Sequence, residues 1–177
     1  MLWNPRVAQL KRRSIRLRGY DYTRPGAYFV TICVIPGGRA MSKIADRRVR
    51  LTEIGGLIRD CWRAIPKHFA HARLDAFVIM PDHILGIVVL TKTQANGAAI
   101  GRIRPGSLGA IVRSFKSAAA AQVNRLTCTP RQRVWQRNYY ERVVRSEAEL
   151  HRIRWYIITN PIRWNRRNRP HTRGRNA

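Results

Sequence analysis

Tyr156 and Asn160 stand four residues apart in HRIRWYIITNP, downstream of the apolar run FVIMPDHILGIVVL that carries His83. At helical spacing both share a face with Arg152, while Leu150, Ile153 and Ile157 turn toward a core. A phenol can attack phosphorus, and an imidazole and an amide oxygen can hold a divalent cation that polarises a phosphate. Arginines can hold the polyanion. These are parts for cutting a DNA strand. On an extended strand, side chains two apart share a face, so an H-x-H triplet would aim two imidazoles at one ion. Here the triplet is His83-Ile84-Leu85, which supplies one.

Each residue also has a plain packing explanation. A lone histidine on a strand is commonly structural. On pattern alone, Tyr156 at the edge of a core and Asn160 as the C-cap before Pro161 is the stronger reading. Tyr139 and Tyr140 in WQRNYYER are rival nucleophiles without a helical companion like Asn160, and Asp82, Glu141 and Asp75 could join a metal site at no diagnostic spacing. No Gly-rich phosphate loop, Ser-His-Asp order or H-E-x-x-H is present.

Charge decides what kind of partner such residues would meet. The 177 residues carry 35 Lys plus Arg against 9 Asp plus Glu, a formal net charge of +26, and five of the 35 cations are lysines. Arginine's rigid fork of donors matches phosphate oxygens and stacks on bases, which favours nucleic acid over a membrane surface. Apolar content of 45% is that of one globular domain with a real core. Cys33, Cys61 and Cys128 form no C-x-x-C pair, so reduced, buried thiols in a cytoplasmic, nucleoid-associated protein are expected. No apolar run approaches a membrane span and no signal-peptide core is present, so no membrane partner is expected.

The elements that must position these residues follow from periodicity. Residues 1–19, with Arg12 and Arg13, read as a flexible basic arm, and 20–164 as the folded domain. Residues 165–177 read as a disordered basic tail. Ala27–Ile35 is a strand, 47–51 a possible second, and Thr52 caps a helix that Pro66 ends. Leu74–Met80 and Ile84–Leu90 are either a hairpin or two strands meeting at the tight corner of Pro81-Asp82; 91–106 is a loop. Ser107 opens a second helix, and 133–144 is irregular to strand-like. Ser146 and Glu149 form a capping box that starts a third helix, ending near Asn160-Pro161. This order predicts an α+β fold: a ferredoxin-like (RRM-like) antiparallel sheet with helices on one face, plus the C-terminal tyrosine-bearing helix.

FVIMPDHILGIVV resembles the MPNHVHGIV-type signature of single-tyrosine HUH transposases, and WQRNYYERVVRSEAELHRIRWYIITNPIRW resembles their C-terminal helix block. The similarity runs from near Tyr28 to Trp164 and is nearest to REP-associated tyrosine transposases and related insertion-sequence enzymes. It implies binding of hairpin-forming single-stranded DNA and cleavage through a 5′-phosphotyrosine. Tyr156 matches the nucleophile, and His83 and Asn160 match ligands of a magnesium or manganese ion. Arg12, Arg13, Arg152, Arg163, Arg166 and Arg167 are candidate phosphate contacts, and relatives allow a homodimer. Two rivals stand beside this: a descendant that binds DNA without cutting it, and an RRM-like RNA-binding module, for which the FVIMP and GIVVL strands offer only Phe77 as a stacking aromatic.

Leu85 stands where the second histidine of the pattern would be. Losing one of three protein ligands weakens a metal site, by analogy with the ~10–100-fold losses from second-shell changes. A phenol ionises only near pH ~10, so its attack depends on stabilising the charge that develops. Leu85→His is therefore expected to raise metal-dependent nicking of a hairpin substrate, and unchanged nicking would retire this account of Leu85.

Overall fold

The computed structural model describes residues 19–92 and 104–167; the candidate contacts Arg12 and Arg13 lie outside them. Ten elements follow in order: β1 (Gly26–Cys33), β2 (Ser42–Ala45), β3 (Arg48–Leu51), α1 (Glu53–Arg63), α2 (Ile65–His68), β4 (Ala72–Ile79), β5 (His83–Leu90), α3 (Leu108–Leu126), β6 (Tyr140–Val144) and α4 (Glu147–Arg167). Four strands form one antiparallel sheet in the order β4-β5-β1-β6, and β2-β3 is a separate hairpin. Without that hairpin, the short α2 and the closing α4, the chain reads β1-α1-β4-β5-α3-β6, the ferredoxin-like order.

β1 lies at the centre because its residues suit burial on both sides. Tyr28, Val30 and Ile32 pack with Trp62 of α1 and Ile111 and Phe115 of α3. The alternate row, including Ala27 and Phe29, packs with α4. The two faces thus hold different helices. The expected single helical face is that of α1 and α3; α4 covers the opposite face, because its own apolar stripe meets Leu85 and Ile87 of β5.

Local signals place the helices. Thr52 Oγ1 accepts from Gly55 N at 3.1 Å, and Ser107 Oγ accepts from Ala110 N at 3.3 Å. Ser146 Oγ accepts from Glu149 N at 3.2 Å, as a capping box requires. The Glu149 carboxylate reaches one residue further back than expected, accepting from Arg145 N at 2.8 Å. Pro66 does not end helical structure but sits in the first turn of α2, where its missing N–H costs nothing. The β2 strand was hidden because the β2–β3 turn uses Asp46 and Arg47 at φ 51° and 61° instead of glycine.

A second departure concerns the tyrosine helix. α4 does not stop at Asn160-Pro161 but contains Pro161 and runs to Arg167, three residues into the expected tail. A proline inside a helix forfeits one backbone hydrogen bond. Burial of Pro161 and the contact of Trp164 with the His83 ring offset that loss. Cys33 and Cys61 are buried thiols as expected, whereas Cys128 is exposed. Among the described residues no helix is long and apolar enough to cross a membrane.

Gly86 is where β5 admits α1: an added Cβ would lie 2.5 Å from Trp62 Cζ2, an aromatic ring with no exposure. Gly86→Ala is expected to destabilise by about 1–3 kcal/mol through overpacking. Gly56→Ala, where nothing lies within 4 Å of the added carbon, should be neutral or stabilising by up to about 1 kcal/mol. Urea denaturation of the two variants distinguishes a steric constraint from a propensity effect.

Candidate functional site

The tight turn between β4 and β5 sets His83. Met80 N donates to His83 O at 2.8 Å, Asp82 O accepts from Val34 N at 2.9 Å, and Pro81 O accepts from Met41 N at 3.0 Å. The imidazole is 3% exposed, its Nδ1 lies 2.5 Å from Asp82 Oδ1, and Trp164 covers it with ring centroids 5.9 Å apart. His83 and Leu85 belong to the β5 row that faces α4.

α4 carries the other half. Leu150, Ile153 and Ile157 bury against Leu85 and Ile87. Asn160, 5% exposed, follows on this buried side, one turn before Trp164. It is inside the helix, so it is not a C-cap. Tyr156 is half-buried on the flank, edge-on to Phe29 with centroids 6.1 Å apart. Arg163 Cζ lies 5.9 Å from the Tyr156 ring centroid, a cation–π contact. Arg152 is exposed one turn before Tyr156. Arg166 and Arg167 belong to the final turn of α4, and their side chains are outside the description.

Tyr156 and His83 therefore share a face of the sheet without touching. Tyr156 precedes Trp164 by eight residues, about 12 Å along a helix axis. Phe29 precedes Cys33, the register partner of His83, by four residues, about 13 Å along a strand. The imidazole's aromatic neighbour is Trp164; the phenol's neighbours are Phe29 and Arg163.

The donors available to a cation are few. Leu85 has no exposure and belongs to the apolar cluster under α4, so its side chain offers a cation no donor. Asp75 is taken by Arg154, whose Nη2 and Nε donate to its oxygens at 2.6 and 3.0 Å. That guanidinium lowers the Asp75 carboxyl below its ordinary value. Glu141 is opposite Val30, in the row facing α1 and α3. Among the described residues no three His, Cys, Asp or Glu side chains form a group able to hold a metal. His83 and Asn160 supply two donors, and this set does not fit a closed magnesium or manganese centre.

Two features escaped the sequence. Edge strand β6 and the start of α4 border a cavity of about 410 Å³ whose lining includes Arg142, Arg145 and Arg152 together with the acids Glu141 and Glu149. Lys116 of α3 donates to the carbonyls of Gln136, Arg137 and Asn138 at 2.6, 3.4 and 3.3 Å, fastening the segment that leads into β6. Burial lowers its ammonium to about 8. An off-stripe lysine on α3 was the only available signal, and its partners are backbone groups that sequence patterns do not reveal. An RRM-type sheet would leave a face open for bases; here α4 covers that face, and Phe77 packs on Trp62 at 6.1 Å.

An antiparallel α+β sheet with a tyrosine-bearing helix across one face defines the class of this protein. A REP-associated tyrosine transposase bound to a REP hairpin has a similar fold, with a TM-score of 0.60 and 17% identity, over 84% of this chain and 73% of that one. No protein-family model matches. An uncharacterized protein of Haemophilus influenzae Rd is 35% identical over 163 residues, covering 86% of this chain and 89% of that one, and the chain belongs to the same family.

Glu149 anchors the start of the tyrosine helix and gives a pH-dependent test. The Arg145 N–H, and then the Arg142 guanidinium, hold its carboxyl below the usual value. An acid depressed in the fold stabilises above its unfolded value, near pH ~4.3, and loses that contribution as pH falls through the folded value. Glu149→Gln should cost about 1 kcal/mol at pH 7, as for a lost cap. The gap from the parent should close below pH ~4 in thermal melts.

Proposed function

We propose that this protein is transposase-like, binds hairpin-forming single-stranded DNA, and cleaves it through Tyr156. The observation that carries the reading is the placement of Tyr156: its phenol lies at the border of the core, with the Arg163 guanidinium 5.9 Å from its ring and exposed Arg152 one turn away. The fold likeness to a transposase bound to a REP hairpin supports the substrate class.

In the proposed step, Tyr156 Oη attacks phosphorus and the P–O3′ bond breaks. The phenol proton passes to water, the 3′ oxygen leaves and takes a proton from water to become a hydroxyl, and the 5′ phosphate stays on the tyrosine. Attack by the 3′-OH of another strand reverses the sequence and frees the phenol. Arg163 and Arg152 are permanent cations that can stabilise charge building on the phosphoryl oxygens. No step is routed through a metal ion.

A second reading, binding without cutting, is favoured by Leu85, which fills the second imidazole's position with apolar packing. The two are separated by incubating labelled hairpin DNA with the protein, with manganese or with a chelator, and examining denatured samples for a covalent adduct. The first reading expects an adduct that Tyr156→Phe abolishes while binding remains. Binding with no adduct in either condition selects the second, and no binding refutes both.

A further inference from the structure

The outward side of α4 carries apolar residues that no described element covers. Trp155 and Ile158 are 65% exposed and Ile162 is 38% exposed. At about 100° per residue the three fall within one narrow stripe, opposite Leu150, Ile153 and Ile157. Scattered exposed apolar residues are ordinary, but a stripe containing a tryptophan marks a contact surface.

Its two borders differ. On one side Arg154 is held by Asp75 in a two-pronged ion pair, so its charge is already matched. On the other side are Arg152 and Arg163, which make no ion pair with a described residue, and Tyr156 between them. An apolar ring beside guanidiniums not locked in an ion pair with a described residue matches a single strand of DNA, which presents an unstacked base and a phosphate together. In a duplex the base faces are hidden. A second copy of this chain would bring another charge of +26 to the same surface.

We propose that Trp155, flanked by Ile158 and Ile162, is the stacking platform for an unpaired base of the bound DNA. The strand's phosphates run beside Arg152 and Arg163. This rests on the single-stranded DNA reading of Tyr156 and adds a positioning residue to it. A base held on Trp155 places the neighbouring phosphodiester next to the following residue, Tyr156, and so selects which linkage is presented. Nothing in the stacking requires a particular base, so the platform sets position more than sequence.

The test compares a blunt DNA hairpin with the same hairpin bearing a short single-stranded tail, using fluorescence anisotropy and intrinsic tryptophan emission. Wild type should bind the tailed hairpin more tightly, with quenching of tryptophan emission. Trp155→Ala should lose about ten- to a hundredfold in affinity for the tailed hairpin, the size of one base–aromatic stack, and little for the blunt one. Trp155→Phe should restore most of that loss, and both variants should lose the quenching. Trp62 has no exposure and Trp135 has 5%, and the readout is the part of the quenching lost when Trp155 is replaced, since any signal from Trp3 or Trp164 stays in both variants. If wild type binds both hairpins equally and Trp155→Ala matches it, the platform is refuted while the DNA-binding reading stands. If wild type binds neither hairpin, the DNA-binding reading falls and the platform with it. If sedimentation shows a dimer that Trp155→Ala dissociates, with both hairpins weakened alike, the stripe joins two copies and the proposal is overturned.

Discussion

The packing of Leu150, Ile153 and Ile157 on Leu85 and Ile87 is the interaction on which the candidate site depends. It lays α4 across the β4–β5 side of the sheet and so determines which helix positions meet which strand positions. Leu85 has two consequences there. It provides no polar donor in the row of His83, and it adds a fully buried aliphatic side chain to the docking surface of the tyrosine helix. Burying such a side chain contributes about 1.5–3 kcal/mol, whereas an unpaired imidazole there would carry a desolvation cost. The side chain that offers a cation no donor thus strengthens the packing of the helix that carries Tyr156.

The few acids show the same division between structure and surface. Asp75 holds Arg154 against β4, Glu149 secures Arg145 N and Arg142 at the start of α4, Asp82 engages His83, and Asp21 accepts from Thr23 N at 3.0 Å. Each orders a particular piece of backbone or one helix border. With nine acids against 35 cations, carboxylates are too few to neutralise most of the arginines. Repulsion among them destabilises the folded chain and is relieved by a polyanion, which couples binding to stability and makes both dependent on salt.

The strands of the central sheet, the caps Thr52, Ser107 and Ser146, and the apolar stripe of α4 were legible because each is set by neighbours within a few residues. The β2–β3 hairpin was only half legible, since its turn places Asp46 and Arg47 in a left-handed conformation that residue type does not announce. The continuation of α4 past Pro161 was misread for a related reason: the local cost of proline was visible, and the distant aromatic contact of Trp164 with His83 was not. Tyr156, Asn160 and His83 could be named from type and spacing, but not their separation along the sheet.

By itself the sequence determined the cationic excess, the single imidazole at His83, and an amphipathic final helix with Tyr156 on its flank, because composition and periodicity are local properties. Only tertiary structure decided that α4 covers the face opposite α1 and α3, that Trp164 rather than Tyr156 meets the imidazole, and that Trp155 faces outward. Those outcomes depend on which apolar surfaces bury each other across long sequence separations, and on the register at which helix and strand settle. No local pattern encodes that register, since a shift of one helical turn would preserve the same periodicity.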